Sequence, residues 1–119
     1  MPDGPEDPCP ETKGGTYVLR DKQTGDVIRT GRTNDFNRRE GEHLRDARLP
    51  NHDFVRTNKT NSYLAQRGLE QKLYDANPQA VWRDDGMGGF NKRRPISPLN
   101  PNRNMYMEFA EQFLEMCGD

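Results

Sequence analysis

The stretch Gly15 to His43, GTYVLRDKQTGDVIRTGRTNDFNRREGEH, decides the fold. Two short β-favouring runs, Thr16–Leu19 and Val27–Thr30, are separated by polar residues that include Gly25, which predicts a β-hairpin. If Leu19 sits opposite Val27, then Tyr17 sits opposite Arg29, with a phenol and a guanidinium side by side. Gly31 allows a tight exit, and Thr33 or Asn34 is placed to cap a helix beginning near Asp35. Pro50 ends that helix at or before Arg48. Phe36, His43 and Ala47 fall on one face of it, with Arg39 about a turn from the same line and four residues before His43. Two polar side chains in an apolar stripe beside a hairpin either satisfy hydrogen bonds at the edge of the core or point together into a cleft.

Downstream, His52–Thr57 predicts a third, half-buried strand. A second helix is expected from Tyr63 to Ala76, opened by one of several capping candidates in Asn58–Ser62 and closed by Asn77-Pro78. Ala65, Leu69, Leu73 and Ala76 form its apolar stripe. Glu70 stands off that stripe, where the bland expectation is a surface pair with Arg67 three residues earlier. Gln79–Asn91 is a glycine-rich loop with one Trp, followed by Lys92-Arg93-Arg94 and a proline-rich stretch to Pro101. Tyr106, Phe109, Ala110, Phe113 and Cys117 share a helical face, so the chain closes on an amphipathic helix with Gly118 at its end and Glu108, Glu111 and Glu115 on its other face.

Upstream, residues 1–14 (MPDGPEDPCPETKG) are rich in Pro, Gly and acids and read as a disordered linker ahead of a single domain over 15–119. A chain of 119 residues with 30% hydrophobic content holds one modest core. No run approaches a membrane span and no signal segment opens the chain, so the expectation is a soluble protein without its own secretion signal and with no membrane partner. The net charge of −1 is uneven: residues 13–103 carry all 18 Lys and Arg against 11 acids, and the remaining acids lie at the ends. Such a basic middle either supplies attraction to phosphates or is a solvated surface with no polyanion partner. Cys9 and Cys117 stand one near each terminus, without metal-ligand spacing. They can pair in an oxidising compartment, although free thiols are the first expectation.

The blocks Gly15-Thr16-Tyr17, Arg29-Thr30-Gly31, Thr33-Asn34-Asp35 and Arg38-Arg39 with His43, then Ala65–Gln71 around Glu70, and finally Asn91, follow one another in the order of the GIY-YIG nuclease domain, which the chain resembles over Gly15–Asn91. Arg29 stands where that family has the tyrosine of its second signature. The closing segment from Phe90 to Tyr106 is similar to domains at the ends of bacterial polymorphic toxins. The resemblance implies an α+β fold, a three-stranded antiparallel sheet flanked by helices, to which the terminal amphipathic helix is added. It implies a metal-dependent endonuclease acting most directly on DNA, with RNA as the alternative substrate, delivered within a larger secreted effector to a target-cell cytoplasm and met by a cognate immunity protein. A non-catalytic nucleic-acid-binding or interaction module of the same fold is the other reading.

By that resemblance the catalytic residues are Tyr17, Arg39, His43 and Glu70. Glu70 is the ligand of Mg²⁺ or Mn²⁺, a hard cation suited to a lone carboxylate and waters. Tyr17 positions or deprotonates the attacking water, Arg39 grips the phosphate and His43 relays a proton. Arg29, Arg32, Asn91, Lys92, Arg93 and Arg94 hold the substrate backbone, and no small-molecule cofactor is implied.

Overall fold

The computed structural model describes residues 9–118, and the part of the expected linker over 1–8 lies outside the described residues. Strands β1 (Gly15–Asp21) and β2 (Val27–Thr33) form the hairpin, with the turn built around Asp21. The Asp21 carboxylate accepts from Gln23 N at 2.7 Å and Thr24 N at 3.3 Å, and Gly25 supplies the left-handed φ of 79° that the turn needs. The register over Gly15–Leu19 lies two residues from the expected one, and a bulge between Leu19 and Arg20 accounts for one of them. Leu19 therefore faces Arg29, and Tyr17 faces Gly31 rather than Arg29. Strand β3 (His52–Lys59) pairs antiparallel on the other side of β1, giving the order β2-β1-β3. The fold is thus α+β with a three-stranded antiparallel sheet, and β2 is an edge.

Alternation along β1 sends its residues to two layers. Tyr17 and Leu19 pack with Phe36 of helix α1 (Phe36–Leu44), backed by Ile28, Leu49 and Phe54. Val18 packs with Val27, Ala80 and Leu73, the last from helix α2 (Tyr63–Ala76) on the opposite side. Leu19 and Phe36 are both essentially buried, which stabilises the fold by about 1.5–3 kcal/mol each. Asp35 caps α1, rather than Thr33 or Asn34, by accepting from Arg38 N at 3.1 Å; the Thr33 hydroxyl instead accepts from Asp35 N. Helix α1 stops at Leu44, so Ala47 lies beyond it. Helix α2 is capped by Ser62 and has the predicted bounds, though Ala76 is exposed on its last turn.

Helix α3 (Arg103–Cys117) lies against α2 through Ala65, Leu69 and Ala110, so it covers a helix rather than the sheet. Phe109, expected on the inner face, is 38% exposed. Gly68 makes the crossing close, because a Cβ there would collide with the Tyr106 carbonyl and come within 2.7 Å of the Ala110 Cβ.

The termini hold two corrections. Cys9 and Cys117 are joined by a disulfide, with Cα atoms 5.5 Å apart, where free thiols were the first expectation. A sequence separation of 108 hides the pairing until the fold brings the first described residues to the end of α3. Residues 9–14 also dock rather than trail as linker. Lys13 O accepts from Phe36 N at 2.7 Å, Gly14 O accepts from Thr60 N at 3.0 Å, and Lys59 pairs with Glu11 at 2.8 Å. Among the described residues no helix is long and apolar enough to cross a membrane.

Candidate active site

Tyr17 projects from the central strand across Gly31 of the edge strand. A Cβ at Gly31 would stand 2.5 Å from both Cζ and the hydroxyl of Tyr17, so only glycine lets the ring lie over β2. The phenol reaches α1, where Arg39 Nε donates to its oxygen at 3.2 Å and His43 Nε2 lies 2.9 Å away. Arg39 can only donate to the phenol oxygen, and the phenol donates to His43 Nε2 in the tautomer that carries its proton on Nδ1. Arg39 extends the chain outward through a 3.0 Å bond to Glu42 Oε1, and Glu42 also pairs with Arg38.

Burial fixes the charge states of this chain. It pushes the Tyr17 phenol up, against the opposing hydrogen bond and charge of Arg39 and the charge of Arg29. It holds His43 down to about 4, with the Arg39 and Arg29 guanidiniums acting in the same direction. At neutral pH the resting pair is a neutral phenol and a neutral imidazole. Arg39 and His43 therefore form a hydrogen-bonded chain through Tyr17. Tyr17 and His43 are buried beneath the surface, whereas Arg39 is exposed enough to line a cleft.

Glu70 comes from α2 on the other side of β2. The expected surface pair with Arg67 is not formed. Arg67 donates to the Tyr63 hydroxyl at 2.6 Å and to Pro95 O at 3.3 Å, and it stacks over Tyr106. Among the described residues the ion-pair partner of Glu70 is Arg32 Nε, at 3.5 Å, and that guanidinium lies over the Tyr63 ring. The Glu70 side chain is 18% exposed, and burial raises its carboxyl above the usual range despite the nearby charges of Arg32, Arg67, Arg29 and Arg39. Conversely, the Glu70 charge reaches Tyr17, so the carboxylate and the phenol chain lie in the same electrostatic neighbourhood around the edge strand.

Two open clefts meet this edge. One, of about 580 Å³, is lined by Arg32, Arg38, Arg39 and Glu42 together with Tyr63 and Gln66. The other, of about 560 Å³, is lined by Glu70, Arg29, Arg48, Lys92 and Arg93 with an apolar wall of Leu49, Trp82 and Phe90. Cations outnumber carboxylates in both, which suits a polyanion.

No family model, curated protein or solved structure matches the chain. Its site is therefore judged on its own geometry.

The residues expected to hold substrate divide three ways. Arg29, Lys92 and Arg93 line the cleft with Glu70, and Arg32 lines the neighbouring one. Arg94 instead donates to Ile96 O at 3.0 Å. The Asn91 amide is committed at both ends: its oxygen accepts from Thr30 N and its nitrogen donates to Thr30 Oγ1, each at 2.9 Å. With Phe90 N donating to Ile28 O at 2.8 Å, Asn91 docks the 79–91 loop on the edge of β2. It shapes the cleft wall through Thr30.

A divalent cation fits the donor set as a lone hard oxygen ligand. Glu70 is a half-buried carboxylate paired with Arg32 at 3.5 Å, in a cleft where Arg29, Arg48, Lys92 and Arg93 outnumber the one other carboxylate, Asp46. Among the described residues no group of three or more His, Cys, Asp or Glu gathers to make a cage, so any cation there would keep waters or phosphate oxygens as its remaining ligands. Sequence reading missed Trp82, Glu42 and His52. Glu42 had a signal in its spacing of three from Arg39. His52 packs edge-on to His43 with ring centroids 6.4 Å apart, a contact visible only once β3 and α1 are brought together.

Proposed function

We propose that this domain hydrolyses phosphodiester bonds of nucleic acid as a Mg²⁺- or Mn²⁺-dependent endonuclease of GIY-YIG type. One observation carries the reading: a half-buried carboxylate, Glu70, shares the edge of β2 with an Arg39–Tyr17–His43 chain that runs from a cleft into the core, and basic clefts lie on both sides.

A cation held by Glu70 would supply charge neutralisation and a more acidic water. The chain's own groups account for the rest. Arg39 offers its planar fork to the scissile phosphate and opposes the charge that develops there. When Arg39 turns from the phenol to the phosphate, the Tyr17 oxygen becomes free to accept a proton from water while its own proton passes to His43 Nε2. That transfer is uphill in the resting site, because burial holds His43 down to about 4 and pushes the phenol up; the Arg29 charge reduces the cost by favouring the phenolate. Arg29, Lys92 and Arg93 hold flanking phosphates.

DNA is the primary substrate in this proposal, and RNA shares the same backbone chemistry. The toxin reading, with an acidic immunity protein seated on the basic clefts, also belongs to the proposal. The disulfide supports it, because such a bond suits a domain that passes through an oxidising compartment. A binding-only module is favoured by a different observation, the Arg32–Glu70 pair, which partly neutralises the carboxylate. Incubating supercoiled plasmid and total RNA with the purified protein and Mg²⁺ separates the two. Cutting supports hydrolysis, and tight, salt-sensitive binding without cutting under Mg²⁺ and Mn²⁺ supports the module.

A further inference from the structure

The Glu70 cleft has a wall that phosphate binding does not need. Trp82, the chain's one tryptophan, is 45% exposed and lines the cleft beside Phe90, Leu49, Arg29 and Glu70. Lys92 Nζ lies 5.5 Å from the centroid of its ring, so a cation is already stationed over the indole. The loop that carries it is held firmly. Trp82 N donates to Asn91 O at 2.8 Å, Gly89 N donates to Val81 O at 3.0 Å, and Asn91 is pinned to Thr30. A large aromatic in a fixed place, open on a cation-lined cleft, is the arrangement that stacks a planar base while cations hold the backbone next to it.

We infer that the Glu70 cleft contains a nucleobase-stacking subsite formed by Trp82 with Lys92, and that the domain prefers an unpaired base beside the bond it acts on. The inference rests on the proposed nucleic-acid function and narrows its substrate class. Bases inside a duplex are stacked on one another and offer no free face to an indole in a concave cleft, whereas single strands, loops and frayed ends do. The sugar is not read by this contact, so single-stranded DNA and RNA are both ligands.

Because Trp82 is the sole tryptophan, its fluorescence reports the contact directly. The full chain is titrated in EDTA, so that no chemistry occurs, with short oligothymidylate, oligouridylate, a DNA duplex of equal length, and inorganic polyphosphate. Affinity is read in parallel by anisotropy or competition. The single strands are expected to quench Trp82, and the duplex and polyphosphate to bind with little change in emission. Trp82→Ala should weaken single-strand binding on the order of tenfold while leaving polyphosphate binding as it was, and Trp82→Phe should restore most of the loss. Equal weakening on every probe would assign Trp82 to loop structure and overturn the inference, as would single strands that bind without moving the emission. Failure of hydrolysis is seen separately: quenching in a protein that cuts nothing removes the nuclease reading and keeps the subsite, and cutting without quenching does the reverse.

Discussion

The hydroxyl of Tyr17 stands 2.9 Å from Nε2 of His43, and both residues are almost wholly buried. A neutral imidazole is thereby held against a phenol that also receives a hydrogen bond from Arg39. Tyr17→Phe keeps the ring and removes the proposed relay. It should cut the hydrolysis rate by about 10²–10⁴-fold. The same change leaves His43 Nε2 without its partner and should cost about 1–3 kcal/mol in urea unfolding. Nicking rates beside unfolding midpoints check both parts.

The same pair makes stability depend on pH. His43 is held down to about 4 in the folded protein and returns to the ordinary histidine value of 6.5 when unfolded, so between these values the unfolded chain binds the extra proton. Stability should be unaffected by His43 above pH ~6.5, fall as pH drops toward 4, and level below it, with a total on the order of 3 kcal/mol. Urea unfolding of wild type and His43→Gln across that window gives the test, and a slope that survives in the variant would assign it to other groups.

Gly31 and Gly68 are close-approach positions of different kinds. Gly31→Ala sets a Cβ into the Tyr17 ring, and Gly68→Ala drives α2 from α3 at Tyr106 and Ala110. Each should destabilise by about 1–3 kcal/mol or more. Their activities should separate: Gly31→Ala displaces the phenol and loses hydrolysis, whereas Gly68→Ala retains it in the fraction that stays folded. Unfolding curves and nicking rates on the same samples check this.

The disulfide ties the first described residues to the end of α3 across 108 positions. Reduction, or Cys9→Ser, should lower stability by about 2–5 kcal/mol, because it frees a long loop in the unfolded chain. The residues proposed as catalytic lie on other elements, so the folded reduced protein should keep the proposed activity. Thiol titration of the denatured chain with and without reductant, alongside unfolding curves, measures it.

Periodicity sufficed where an element answers to its own residues. Helix α2 runs from Tyr63 to Ala76 as its stripe and its Asn77-Pro78 stop require, and the hairpin follows from two β-favouring runs around Gly25. What was not legible depended on partners distant in sequence. The hairpin register and the bulge at Leu19/Arg20 have no local marker, so Tyr17 faces Gly31 and not the Arg29 that simple alternation suggests. The resemblance places Asn91 among the residues that hold the substrate backbone, and nothing in the sequence shows that its amide is taken up in covering β2 along Ile28–Thr30. The Cys9–Cys117 bond and the turning of Glu70 toward Arg32 rather than Arg67 likewise follow from packing between elements. Within the site, the spacing of Arg39 and His43 was informative because a helix guarantees that residues four apart share a face, and Tyr17 fills the gap between them.

Glu70 carries the central claim, since the Arg39–Tyr17–His43 chain has little to act on without a metal-binding carboxylate beside it. The most direct measurement is the rate at which Glu70→Gln nicks supercoiled plasmid in saturating Mg²⁺, relative to wild type, with DNA affinity measured on the same preparations. The account predicts that wild type nicks the plasmid, and that the variant binds DNA at least as well but loses on the order of 10³-fold or more in rate. A Glu70→Gln protein that nicks at the wild-type rate would contradict it.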